Sequence, residues 1–474
     1  MTAALQQRAV AAEHPTAPPH LSNEPYRRHA PRATLIVAVL GMFVVTLDAL
    51  VVNVALPAIG SDLGSGIAGL QWVVDGYTLM FAALLLSAGA LSDRIGARRA
   101  FGAGVALFVL ASAACGLAPV MGVLIAARVA QGAGAALIMP TSLALIREGF
   151  ANAHQRARAI ALWALGGAVA SAAGPVVGGF LTLLSWRAIF FINLPVGVLA
   201  LCLLMRVARS PRRTVPFDWI GQVTAMLGMG GLTYGLIEGG AEGFLRLTPR
   251  VLAALVVATL ALVGFLVAQV RGSHPMVPLG LLRSRPVAVS VAGGFSFTVG
   301  FYGLVFLLSL YLQQLRGLSP LQTGLAFVPM TGLTGVVTLL TPRIAARFGA
   351  RIPMALGQAL IAAGLLGMCA AVGAPIWLLA ILSICIGLGS SLAVPTLTAL
   401  LVSSVPAQRA GIASGVLNTC RQLGGALAVA VFGALVAQRE TFVHGMQVSL
   451  VIAAVLLLVT AAASLQLKPE EVHG

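Results

Sequence analysis

The stretch TLIVAVLGMFVVTLDALVVNVALP, residues 34–57, carries one charge, Asp48, in an otherwise apolar run. A helix needs about 20 apolar residues to cross the hydrocarbon core of a bilayer, so this stretch spans with length to spare. Thirteen further runs lie near 70–91, 101–118, 121–144, 159–182, 188–205, 219–238, 251–270, 288–313, 321–341, 353–371, 376–402, 411–437 and 447–466. Only 9% of the chain is charged and its mean hydropathy is +0.99, whereas soluble domains carry roughly 25% charged residues. The pattern predicts an all-α polytopic membrane protein with fourteen transmembrane helices.

The formal net charge of +16 does not point to nucleic acid. The basic residues sit in short gaps between apolar runs, with no aromatic-interleaved basic domain, and they read as topology signals. With the N-terminus inside, 22 Lys and Arg residues fall on the inner side and 5 on the outer, Arg128 and Arg421 lying within spans. Both termini are therefore expected in the cytoplasm of a bacterial cell, the chain spanning the inner membrane. Cys115, Cys202, Cys369, Cys385 and Cys420 show no CxxC spacing and read as small core residues. The seven histidines show no metal spacing and no GxxxxGK[ST] loop appears. No metal, cofactor, enzymatic activity or ATP-driven step is expected.

The sequence repeats itself. Gly132 to Leu145 in the fourth run echoes Gly387 to Leu400 in the twelfth, the loop Arg94-Ile-Gly96-Ala-Arg98 echoes Arg347-Phe-Gly349-Ala-Arg351, and Gln155-Arg156-Ala157 echoes Gln408-Arg409-Ala410. The echoes are 253 to 255 residues apart and in the same order. They divide the chain into a disordered cytoplasmic tail (1–32), a six-helix repeat (33–206), a linker with two inserted helices (207–287), a second six-helix repeat (288–466) and a short cytoplasmic tail (467–474). Duplicated helical halves around a central site are the architecture of many secondary transporters.

Of 13 acidic residues only Asp48 and Asp75 lie well inside a run, and none occurs between Glu242 and Glu440. At 1.5 Å per residue, Asp48 lies roughly 15 Å below the outer end of its span, and Asp75 and Arg128 about 8–11 Å below theirs. Ionisable groups inside a bundle are functional candidates because an unpaired charge there is costly. Asp48, Asp75 and Arg128 are thus candidates for one proton-handling cluster, with a static Asp75–Arg128 pair as the structural alternative.

These motifs carry a family resemblance. Gly89-Ala-Leu-Ser-Asp93-Arg94-Ile-Gly96-Ala-Arg98-Arg99 resembles the loop signature of the major facilitator superfamily. Gly89 and Gly96 suit a tight turn and close helix approach, and Asp93 suits a latch that holds one conformation. The run from Leu124 through Arg128, Gln131 and Gly132 resembles the superfamily's fourth-span motif, which implies a role for Arg128 in proton transfer; Ser383 stands at the matching place in the second repeat. Gly174-Pro175-Val-Val-Gly178-Gly179 resembles the fifth-span motif of antiporters, with Ala170 where a glycine is usual; packing alone also accounts for glycines there. Leu47-Asp48 through Asn53 to Pro57 resembles the first-span signature of the fourteen-helix drug:proton antiporters.

The resemblance implies an exporter of lipophilic drugs, antibiotics or secondary metabolites, driven by the proton gradient, exchanging protons for substrate by alternating access and working as a monomer. A symporter or facilitator of a small metabolite on the same scaffold is the alternative, and a non-transporting sensor a remoter one. Asn53, Trp72, Tyr77, Gln131, Tyr302, Phe306 and Arg421 are candidates for a substrate cavity, the aromatic ones competing with plain core packing.

Overall fold

The computed structural model describes residues 31–212, 216–243, 248–332, 334–406 and 409–467. Most of the expected N-terminal tail, residues 468–474 of the C-terminal one and Gln408 of the repeat lie outside them. Residues 31 and 32 already belong to the first helix, because Pro31 is well placed in a first helical turn.

The described chain is all helix and connection, with no strand. The first half holds α1 (Pro31–Leu63), α2 (Ile67–Ile95), α3 (Ala97–Gly116), α4 (Met121–Gly149), α5 (Ala153–Leu184), α6 (Ala188–Phe191) and α7 (Asn193–Leu204). Next come α8 (Trp219–Glu242) and α9 (Pro249–Arg271). The second half holds α10 (Arg285–Leu310), α11 (Pro320–Ala326), α12 (Val328–Gly332), α13 (Thr334–Phe348), α14 (Arg351–Ala370), α15 (Ile376–Ser403), α16 (Ala410–Leu435) and α17 (Phe442–Leu465).

Eleven helices among the described residues are long and apolar enough to cross a membrane. The three other runs differ from simple spans for visible reasons. Residues 188–204 break at Ile192, because Pro195 has no N–H to give the Phe191 carbonyl. The run at 321–341 is interrupted at Phe327, between α11 and α12, because Pro329 has no N–H to give the Leu325 carbonyl. The helix α16 is unbroken but carries Asn418, Arg421 and Gln422, which dilute its hydropathy.

Glycines set the helix spacing. A Cβ at Gly134 of α4 would lie 2.8 Å from the Gly104 carbonyl oxygen of α3, and one at Gly357 of α14 would lie 2.5 Å from that of Gly389 in α15. Backbones this close leave no room for any other residue.

The two halves meet at one end of the bundle, the end where α1 finishes, called here the far end. Ser309 Oγ donates to the Asn53 carbonyl at 2.7 Å, and Gln313 Nε2 to that of Val54 at 2.9 Å. Gln313 sits in the wide π-turn Tyr311–Leu315 that closes α10, a geometry frequent at functional positions. Gln71 Nε2 on α2 donates to the carbonyls of Val429 and Ala430 on α16 at 2.9 and 2.7 Å. These are the side-chain hydrogen bonds between the halves among the described residues, and all lie toward the far end. At the opposite, near end the halves touch through Leu86 against Gly415, while the first turns of α5 and the last turns of α13 are largely exposed. The helix α8 covers the seam between α2 and α16, and α9 packs mainly on α8.

Candidate functional site

Asp48 is fully buried on α1, and the surrounding helices deliver donors to both its oxygens. Arg128 Nη1 on α4 reaches Oδ2 at 2.5 Å, while Gln131 Nε2 and Asn193 Nδ2 each reach Oδ1 at 2.8 Å. Arg128 and Gln131 are one helical turn apart, so both face α1. Arg128 Nη1 also donates to Gln131 Oε1 at 2.8 Å, and Arg128 Nε to the Val73 carbonyl of α2 at 3.1 Å. The Tyr77 ring lies 4.2 Å from the guanidinium carbon, and the Tyr77 hydroxyl donates to the Val45 carbonyl at 3.2 Å. A buried ion pair holds together only when its remaining donors and acceptors are satisfied; here both Asp48 oxygens accept, and Arg128 donates from Nε and Nη1.

Asn193 was not among the expected site residues, and neither was Ser112. The break at Ile192 brings Asn193 to Asp48, and Asn193 Nδ2 also meets Ser112 Oγ at 3.0 Å. Ser112 in turn donates at 2.9 Å to the carbonyl of Phe190, beside the same break. The pattern Asn193-Leu-Pro195, a polar residue two before a proline in an apolar run, was the available signal.

Asp75 does not join this cluster. It is fully buried, both its oxygens lack a hydrogen-bond partner, and Arg128 pairs with Asp48 instead. It stands one turn from Gln71 on the face of α2 that meets α16, at the seam between the halves.

The loop signature also differs from expectation. Gly96 takes φ +91°, a conformation open to glycine, and a Cβ there would lie 3.1 Å from the Ser210 carbonyl oxygen. The Arg98 backbone N–H donates to Ser210 Oγ at 3.0 Å, Arg98 Nη2 to the Met205 carbonyl at 3.3 Å, and Ser210 Oγ to Glu148. Asp93, Arg94 and Arg99 are exposed, and Asp93 makes no ion pair among the described residues. Gly89 is mid-helix with open space where a Cβ would stand, so it permits no close approach.

In the fifth-span motif, Gly174 and Gly178 press α5 on α1, where Cβ atoms would lie 2.9 Å from Leu50 Cβ and 2.7 Å from the Val51 carbonyl oxygen. Gly179 faces the other half, 2.6 Å by the same measure from the Pro320 carbonyl oxygen of α11, and Pro175 abuts Gly324. The motif thus joins the halves at the far end.

The expected cavity residues scatter. Tyr77 and Gln131 belong to the Asp48 network. Asn53 donates to Ala49 of its own helix at 3.0 Å. Phe306 is fully buried in the apolar core, because α10 is enclosed on nearly all sides. Trp72 turns outward to α8, its Nε1 donating to Glu238 at 3.0 Å. Tyr302 and Arg421 are half-buried near one another in the second half. A cavity of ≈ 300 Å³ between Ile67, Gln314, Val436 and Phe442 at the far end is lined by none of them.

Membrane-length helices, an ion pair sealed in one half and a seam closed at one end suit a membrane transporter. The chain belongs to the Major Facilitator Superfamily, whose profile matches residues 38–429. It is 38% identical over 408 residues to the multidrug resistance protein Stp of Mycobacterium tuberculosis, covering 85% of this chain and 75% of that protein. It is 36% identical to the methylenomycin A resistance protein of Bacillus subtilis, covering 87% of this chain and 89% of that protein. Identity is also 36% to the tetracenomycin C resistance and export protein of Streptomyces glaucescens, covering 87% and 77%. The crystal structure of a D-xylose–proton symporter superposes with a TM-score of 0.68 at 16% identity, covering 94% of this chain and 99% of that one, a likeness of fold.

Proposed function

We propose that this protein is a proton-coupled exporter of lipophilic drugs or antibiotics, an antiporter of the bacterial inner membrane with both termini in the cytoplasm. The resistance and export proteins it is similar to support the direction and the substrate class. The interrupted segments α6–α7 and α11–α13 and the polar helix α16 complete a set of fourteen spans. The parallel glycine contacts of α3–α4 and α14–α15 support two six-helix repeats, with α8 and α9 inserted.

The observation that carries the coupling is the buried Asp48–Arg128 pair. A proton and Arg128 compete for the same carboxylate. With Asp48 ionised, the pair ties α1 to α4 and, through Asn193, to α7. A proton on Asp48 removes the charge, frees Arg128 and loosens that tie. With the N-terminus inside, the far end faces out, so the present conformation is closed to the outside and its Asp48 has given up its proton. Asp75, buried without a donor, sits where a neutral acid is the form that is tolerated. Separation of the halves at the far end opens its seam to outside water. No prosthetic group takes part; the proton gradient supplies the energy, and a monomer suffices.

The test is uptake of a drug into everted membrane vesicles driven by an imposed proton gradient. Wild type accumulates the drug until an uncoupler is added, and Asp48→Asn does not. Gradient-driven accumulation by Asp48→Asn overturns the assignment.

A further inference from the structure

Arg421 takes no part in the network around Asp48, and no described residue pairs with it. It lies eleven residues into α16, roughly 16 Å along the helix and so deep in the bundle. Among the described residues it makes no hydrogen bond and no ion pair, and its Nε is buried without a partner. Its surroundings are shaped to receive it. Gly294 on α10 makes room for the side-chain stem, since a Cβ there would lie 3.2 Å from Arg421 Cγ. The Phe297 ring lies 5.5 Å from the guanidinium carbon, a weak attraction that leaves the N–H edge free. Together with Val394, Leu397 and Thr398 of α15, these residues line a tight crevice that has no water-sized space open in this conformation.

A cation this deep calls for an anion, and the described residues offer none. No acidic residue occurs between Glu242 and Glu440. Asp48 is bound to Arg128, and Asp75 meets a different face of α16, the one contacted by Gln71.

We propose that Arg421 is the recognition site for an acidic group on the exported molecule, a carboxylate, enolate or phenolate carried on a lipophilic body. The planar guanidinium binds such oxygens in a fork, and Phe297 and the α15 side chains receive the adjoining apolar atoms. This inference rests on the exporter reading and narrows its substrate class to lipophilic acids. Proton coupling in one half and substrate charge recognition in the other then use separate arginines, Arg128 and Arg421.

The experiment uses the full chain in an efflux-deficient bacterium challenged with fusidic acid and nalidixic acid as lipophilic acids, chloramphenicol as an uncharged drug and ethidium as a cation. Wild type, Arg421→Gln and Arg421→Lys are compared at equal amounts of protein in the membrane. The expected result is protection by wild type against the acids. In Arg421→Gln the ratio of acid to ethidium protection falls by about tenfold to a hundredfold, as for loss of a charged hydrogen bond, and Arg421→Lys lies between. An unchanged ratio in Arg421→Gln overturns the inference, as does a parallel loss for every drug in both variants. Wild-type protection confined to chloramphenicol and ethidium overturns it too while leaving export intact. A wild type inert toward the whole panel overturns the exporter reading with it.

Discussion

The two halves pack helices on glycines alike and differ in what they bury. Asp48, Arg128, Gln131 and Asn193 form one hydrogen-bonded network in the first half. The positions 253 to 255 residues further on hold Phe301, Ser383, Ile386 and Gln447. There Phe301 packs on Phe297 with ring centroids 5.5 Å apart, Ser383 donates to Ala380 of its own helix at 2.6 Å, and Ile386 is fully buried. Gln447 keeps a polar contact, donating at 3.2 Å to the Cys369 carbonyl. Yet Gly134 meets Gly104 much as Gly389 meets Gly357. Helix spacing is therefore set by glycine contacts that both halves keep, and the buried carboxylate–arginine pair is an addition that one half carries.

The comparison breaks most visibly at the ion pair. Arg128→Met leaves Asp48 buried with neutral donors alone and is expected to destabilise the protein by roughly 3–5 kcal/mol. Thermal unfolding in detergent reads that loss, and efflux is abolished. Adding Asp48→Leu to Arg128→Met makes the first half resemble the second. Stability then returns in large part, because apolar replacements of a whole buried pair are often neutral, and efflux stays lost. A double variant that exports drug would show that the pair is scaffold only.

Gly179→Leu drives a side chain into the α11 backbone and is expected to cost about 1–3 kcal/mol by overpacking. It should also part the far end, which faster thiol labelling of a cysteine placed at Ser309 would report. Asn193→Leu removes one donor from Asp48 and is expected to cost about 1–3 kcal/mol, with slowed efflux, since the Arg128 and Gln131 bonds remain. Ser383→Ala, the change at the position matching Arg128, is expected within about 0.5 kcal/mol of wild type and to export at the wild-type rate. A severe defect there would mean that the second half also carries coupling.

Much of this was legible in the sequence. Apolar run lengths gave the long helices, and the isolation of Asp48 and Arg128 in such runs marked them, because a charge in a bilayer is conspicuous. The partner choice was not legible. Asp48, Asp75 and Arg128 lie at similar depth, and depth says nothing about which helix face each occupies in the packed bundle. Asn193 and Ser112 escaped notice because single neutral polar residues are ordinary in spans and their role comes from the break at Ile192. The seam formed by Gln71, Ser309 and Gln313 depends on carbonyls more than 250 residues away, which no local pattern encodes. The sequence leaves Phe306 open between core and cavity wall, since an aromatic in an apolar run looks the same in both; it is buried in the core.

The central claim is that a proton and Arg128 compete for Asp48. Proton release by the purified protein in weakly buffered detergent solution, triggered by the drug against which it best protects cells, tests it most directly. Wild type is expected to release protons when the drug binds, and Asp48→Asn to bind the drug and release none. Undiminished proton release from Asp48→Asn would contradict the account.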